Sequence, residues 1–123
     1  MNRILIVSAL LTAALASAAN AQTLDIDVVH GNETGCAVEG GADYVTDDKI
    51  ILRPDGIEAH ESFCEFVQVL PARSGARVTT SLCQSEGAYE IRMHTISEPD
   101  PESGTRVLFF SDGAFWTEVG PCS

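Results

Sequence analysis

The sequence predicts an all-β protein: a single small antiparallel meander of about seven strands, curled into a barrel or compact sandwich and braced by two disulfides. Three observations predict it. No stretch from Gln22 onward keeps a helical period over ten residues, while short β-branched and aromatic runs alternate with Gly, Pro and Asp turn signals. An export leader precedes four cysteines, which in a short exported chain read as a disulfide framework. The runs follow one another at hairpin spacing, and a meander of that size leaves open edges unless it curls.

The leader is MNRILIVSALLTAALASAANA. Arg3 is its positive start, Ile4 to Ala16 its apolar region, and Ala19-Asn20-Ala21 its cleavage site. Residues 1–21 are therefore expected to be a signal peptide, and the mature chain a periplasmic or secreted protein. No cysteine stands at the cleavage point, which argues against a lipid anchor. Residues 22–123 read as one domain, with 22–42 as an N-terminal arm and loop and 43–123 as the β meander. A domain of that size has a thin margin of buried surface.

Leu24-Asp25-Ile26-Asp27-Val28 alternates apolar and acidic, as a first strand or an ordered arm would. His30 to Gly41 reads as a loop tied down by Cys36. Lys49 to Arg53 is a strand. Arg53-Pro54-Asp55-Gly56 is a turn, with Pro presetting one backbone angle and Gly expected to take the positive φ. Ile57 to His60 starts the return strand.

Phe63 to Leu70 alternates, with Cys64, Phe66, Gln68 and Leu70 on one face and Phe63, Glu65, Val67 and Val69 on the other. Pro71 to Gly75 breaks it, and Arg77 to Cys83 returns. Gln84 to Gly87 turns again. Ala88 to Ile96 sets Tyr89, Ile91, Met93 and Thr95 opposite Ala88, Glu90, Arg92 and His94. Ser97 to Gly104 is a polar loop with two prolines. Arg106 to Phe110 and Phe115 to Val119 are the last strands, joined at an Asp112-Gly113 hairpin turn.

Four cysteines allow three pairings. If Leu70 faces Arg77 across the turn between them, Cys64 faces Cys83, within reach of a disulfide. Cys36 then pairs with Cys122 and pins the N-terminal loop to the last strand. A register slip spoils that argument. The pairing Cys36–Cys64 with Cys83–Cys122 stays open.

The whole chain carries a net charge of −11. Without Arg3 the mature chain has six basic residues against eighteen acidic ones, a net charge of −12. Such a surface repels nucleic acid and anionic lipid, while cations and basic proteins remain compatible. Val107 to Phe110 is an apolar run of strand length, so no membrane insertion is expected once the leader is removed.

Candidate chemistry is sparse. His60-Glu61-Ser62-Phe63-Cys64 looks like a zinc motif with its last ligand replaced, but that motif needs a helix to place both ligands on one face. Glu98, Asp100 and Glu102 alternate in one loop, and Asp47-Asp48 flank a strand, as calcium ligands can. The glycine spacing of a calcium loop is missing, and Pro99 and Pro101 stiffen the segment. There is no nucleophile elbow and no phosphate loop. No catalytic residue, metal ligand or cofactor is therefore assigned. Phe115 and Trp116 point to opposite faces in alternation, one expected in the core and the other as a surface contact.

Cys36, "DDKIILRPDGIEAHESFCEFVQV", "SLCQSEG" and the terminal "FWTEVGPC" together resemble a loosely defined set of small exported four-cysteine proteins of Gram-negative bacteria. In that set a glutamate recurs shortly before the second cysteine, here Glu61. A Cys-x-x-Glu-Gly unit recurs as well, here Cys83 to Gly87 with Glu86 and Gly87. The resemblance implies export, paired cysteines and a small β fold, and no reaction. It gives Glu61, Glu86 and Gly87 structural roles, with Glu61 expected to contact a backbone N–H of its own turn. The chain departs from the set at Gly120-Pro121, where a basic residue is expected.

The functional expectation is an exported, non-enzymatic binding or interaction module for an unknown protein or small ligand, with an inhibitor of an exported enzyme as a close variant. The alternative is a small metal-dependent or acid–base hydrolase using the His60/Glu61 region or the 98–102 acidic loop.

Overall fold

The described residues form eight strands that close into a barrel in the order of the chain. The structure, a computed structural model, describes residues 22–43, 46–110 and 115–123. The leader and the Asp112-Gly113 turn lie outside the described residues. In chain order the elements are β1 (His30–Gly31), α1 (Glu33–Glu39), β2 (Ile50–Arg53), β3 (Gly56–Ala59), β4 (Ser62–Pro71), β5 (Arg77–Ser85), β6 (Ala88–Ile96), β7 (Arg106–Phe110) and β8 (Trp116–Pro121). Every neighbouring pair is antiparallel. Closure falls to the two residues of β1, which pair with β2 on one side and β8 on the other. Of the two architectures open to the sequence, the molecule adopts the barrel.

The N-terminal segment differs from the loop expected there. His30–Gly31 is the closing strand, and Glu33–Glu39 is a helix. Asn32 organises both. Its Oδ1 accepts from Gly35 N at 2.8 Å and from Ile50 N at 3.1 Å, and its Nδ2 donates to Asp48 O. It thus caps α1, an end that otherwise leaves donors unsatisfied, and ties the helix to the start of β2. Helix and strand lie so close that a Cβ on Gly35 would sit 2.0 Å from Ile50 O. Ile51 is fully buried although its neighbours Ile50 and Leu52 point the other way, into the barrel. On the surface Arg53 bridges Glu39 of the helix at 2.7 Å and Glu58 of β3 at 3.2 Å.

Leu24 to Val28 is an ordered arm and not a strand. Leu24 N donates to Pro54 O at 2.7 Å, and Leu24 and Ile26 are both buried in the core. Removing each of these side chains from water contributes about 1.5–3 kcal/mol. Arg77 holds Asp25 at 3.4 Å. The arm therefore packs at the barrel end that carries the β2–β3 and β4–β5 turns. The rest of the core is Ile50, Leu52, Ile57, Cys64, Phe66, Val69, Cys83, Ile96, Leu108 and Val119.

Strand β4 does not alternate without interruption. Phe66 faces Ser81, but Gln68 faces Thr80, so Val67 is an extra residue in a bulge. A bulge sets two residues against one and reverses the inward–outward phase beyond it. Cys64, Phe66 and Val69 consequently point inward, and Leu70 points outward with Val67. Near the turn the register differs from the expected one: Arg77 faces Pro71, and Leu70 faces Val78. The bulge restores the difference, and Cys64 does face Cys83. Of the two pairings left open, the molecule forms Cys64–Cys83 and Cys36–Cys122.

Two hairpin turns show why their residues stand where they do. Glu86 and Gly87 join β5 to β6 with φ of 49° and 79°. Positive φ at both central residues is the twist-matched two-residue hairpin turn. At Gly56 the expected positive φ is absent. The constraint there is space, since a Cβ would lie 2.2 Å from Cys64 O on the neighbouring strand.

Candidate functional site

Over Tyr89 to His94, strand β6 turns its polar residues toward the inner side and its large apolar residues outward. Glu90, Arg92 and His94 face Cys83, Ser81 and Thr79 across the β5–β6 ladder, on the inner side. Tyr89, Ile91 and Met93 face solvent, 66 %, 64 % and 48 % exposed. Solvent exposure of three large apolar side chains on one strand face is unusual enough to need a physical reason.

The same strand is only partly covered along its side. Among the described residues it pairs with β7 at His94, Thr95 and Ile96. Among the described residues no strand pairs with Ala88 to Met93 on that side. The gap opens a half-enclosed cavity of about 420 Å³, lined by Ile50, Ala59, Glu90, Ile91, Arg92, Phe110 and Phe115. Ile50 and Ala59 are cross-strand partners on the far wall. Phe110 and Phe115 form an aromatic corner, with ring centroids 5.0 Å apart and Phe110 N donating to Phe115 O at 3.1 Å. At the rim Arg92 donates to Glu90 Oε2 from Nε at 3.1 Å and from Nη2 at 2.8 Å.

One layer deeper lie Thr79, Ser81 and His94, all fully buried. The two hydroxyls and both imidazole nitrogens have no hydrogen-bond partner among the described residues. The His94 ring meets Phe110 edge-on at 5.0 Å. Burial, and then the positive charge of Arg92, push the His94 pKa down to about 4, so the imidazole is neutral at ordinary pH. This layer was not legible in the sequence, because alternation separates two faces of a strand without saying which one turns inward.

The residues singled out in the sequence fall elsewhere. His60 and Glu61 occupy the β3–β4 turn. His60 Nε2 lies 3.4 Å from Asp47 and 3.7 Å from Glu61, with all three side chains substantially exposed. The Glu61 carboxylate makes no hydrogen bond to a backbone N–H of the turn among the described residues. What is special about Glu61 is its backbone, with φ of 53°. Cys64 is held in its disulfide.

In the acidic loop, Asp100 Oδ1 accepts from Glu102 N at 2.9 Å and Ser103 N at 3.0 Å. Those bonds hold its carboxyl below the usual range and make it a turn-former. Glu98 reaches away from that turn and lies over Gly75. Asp48 accepts from Thr34 and Thr46, which lowers its carboxyl in the same way.

Phe115 and Trp116 do point apart, yet neither fills the core. Phe115 is half-exposed at the cavity, and Trp116 lies outside, 59 % exposed and opposite Phe109.

Among the described residues no helix is long and apolar enough to cross a membrane, and no group of three or more His, Cys, Asp or Glu side chains is placed to hold a metal ion. No protein-family model, curated protein or solved structure matches the chain.

Proposed function

We propose that the chain is an exported, non-enzymatic binding module that takes a small ligand in the cavity between β6 and β7. The cavity carries this reading. Its size of about 420 Å³ lies within the range of small-molecule sites. Its walls are apolar and aromatic, with one polar pair at the rim, which is the composition such sites use to combine affinity with orientation. Glu90 and Arg92 neutralise each other, so the ligand that fits has a flat or aliphatic apolar body and no large net charge. Two disulfides support export, because such bonds persist in oxidising compartments. The leader and the resemblance to exported four-cysteine proteins point the same way.

The alternative hydrolase reading has less behind it. His60 lies in an exposed turn, and the titratable groups lining the cavity are already paired with each other. Catalysis needs a base in reach of a nucleophile inside a site that excludes water.

Trp116, the single tryptophan, adjoins Phe115 and serves as the probe. Titration with a panel of uncharged aromatic and aliphatic compounds is expected to change its emission saturably for some of them. Phe115→Ala should weaken that binding about tenfold or more, and His60→Ala should leave it unchanged. Hydrolysis of a model ester or peptide that EDTA or His60→Ala abolishes would overturn the proposal in favour of the alternative.

A further inference from the structure

The side of β6 from Ala88 to Met93, which pairs with no strand among the described residues, is self-complementary, and we propose that two copies of the chain pair through it. The occupant is a second β6, antiparallel to the first and related by a two-fold axis through Ile91.

A closed barrel has no sheet edge, yet here β6 runs six residues past its last described contact with β7. Among the described residues no backbone group pairs with Ala88 to Met93 on that side. An isologous contact places the same strand opposite itself, so one residue near its middle must sit on the axis.

Three centres are available, and side-chain charge separates them. With Glu90 on the axis, two glutamates face each other. With Arg92 on the axis, two arginines do. With Ile91 on the axis, Glu90 of each copy faces Arg92 of the other, and both attractions form at once. Opposite charges directly across strands stabilise, and like charges destabilise. The other two registers are thus disfavoured by the same residues that favour this one.

The outward face agrees with that register. Ile91 meets Ile91 of the partner subunit, and Tyr89 meets Met93 of the partner subunit, an aromatic–thioether contact. Pairing would cover part of the apolar surface that β6 now presents to solvent. It would also bring the second copy's edge alongside Glu90, Ile91 and Arg92, which line the cavity.

The ladder is short, so association should be weak and concentration-dependent. Sedimentation velocity of the mature, oxidised protein from micromolar to roughly millimolar concentration should show a monomer–dimer equilibrium. Glu90→Arg alone and Arg92→Glu alone should each remain monomeric. The double variant with both changes should dimerise like the parent, because the exchange preserves complementarity. Mixing the two single variants should produce a heterodimer, visible by its intermediate mobility on a native gel.

Circular dichroism and thiol titration confirm that each variant is folded and oxidised. If a single variant fails to fold, amide hydrogen exchange of the parent supplies the readout, with concentration-dependent protection at Tyr89 to Met93 expected. A parent that stays monomeric throughout overturns the proposal. So does a dimer indifferent to the charge reversals, or an exchange profile that does not change with concentration.

Discussion

His94 stands directly opposite Thr79 in the β5–β6 ladder, and both side chains are fully buried inside the barrel. The imidazole carries a low pKa because charging it there would bury an ion, and one close to the positive charge of Arg92.

This sets the sign of a pH dependence. The unfolded chain binds a proton at His94 near the ordinary value of 6.5, whereas the folded protein resists until about pH 4. The contribution is therefore fully present above pH 6.5 and is lost as the pH falls toward 4, by up to about 3 kcal/mol. The expected result in denaturant titrations is a falling stability between those pH values, with a shallower fall for His94→Leu. Equal slopes for the two proteins would remove His94 from the account.

The bulge at Val67 has a sharper consequence. It alone reconciles an inward Cys64 with an inward Val69. Deleting Val67 removes the extra residue, so the two halves of β4 should keep their inward phase as one regular ladder, with Cys64 still opposite Cys83. Thiol titration and non-reducing peptide mapping should show both native disulfides, and free or mispaired cysteines would mean that the bulge does more than add one residue. Val67→Thr keeps the bulge at a substantially exposed position and should change stability by no more than about 0.5 kcal/mol.

The two disulfides should differ in worth. Cys36–Cys122 spans 86 residues and Cys64–Cys83 spans 19. On loop entropy alone these correspond to about 4–5 and about 3 kcal/mol. The first bridge also fastens α1 to the end of β8, beside the two-residue strand that closes the barrel. Paired Cys→Ser variants at 36 and 122 should therefore melt at lower temperature than those at 64 and 83. The reverse order would show that cross-strand packing at Cys64–Cys83 outweighs the longer loop.

Glu61 should behave as a backbone position. The left-handed conformation costs a side-chain-bearing residue about 1–2 kcal/mol and costs glycine far less. Glu61→Gly is expected to preserve stability or raise it by up to about 1 kcal/mol, while Glu61→Val lowers it. Urea unfolding midpoints decide the matter. A loss on Glu61→Gly that matches the loss on Glu61→Val would mean that the carboxylate matters after all.

Much of this fold was legible before any coordinates. Strand runs, turn dipeptides and an even number of cysteines are local signals, and they led to a β meander with Cys64 opposite Cys83. The route to that pair was partly fortuitous, however. The observed register at the Pro71 turn differs by one from the expected one, and the Val67 bulge compensates for it. No residue pattern marks that bulge. Helix α1 was hidden for a different reason. Seven residues are too few to establish a period, and a glycine inside them reads as loop until its contact with β2 explains it.

The candidate site was less legible still, because it depends on which strand face is covered. Alternation divided β6 into an apolar row and a polar row, and ordinary burial would turn the apolar row inward. Pairing with β5 decides otherwise, since Thr79, Ser81 and Cys83 already point inward and their partners must follow. The sequence by itself determined strand number to within one, the turns at 53–56 and 84–87, acidic charge and the chemistry available to the cysteines, all properties of neighbouring residues. Tertiary structure alone decided the closure by His30–Gly31, the inward turn of His94 and, among the described residues, the missing partner along Ala88 to Met93. Those follow from register, where a shift of one residue exchanges the two faces of a strand.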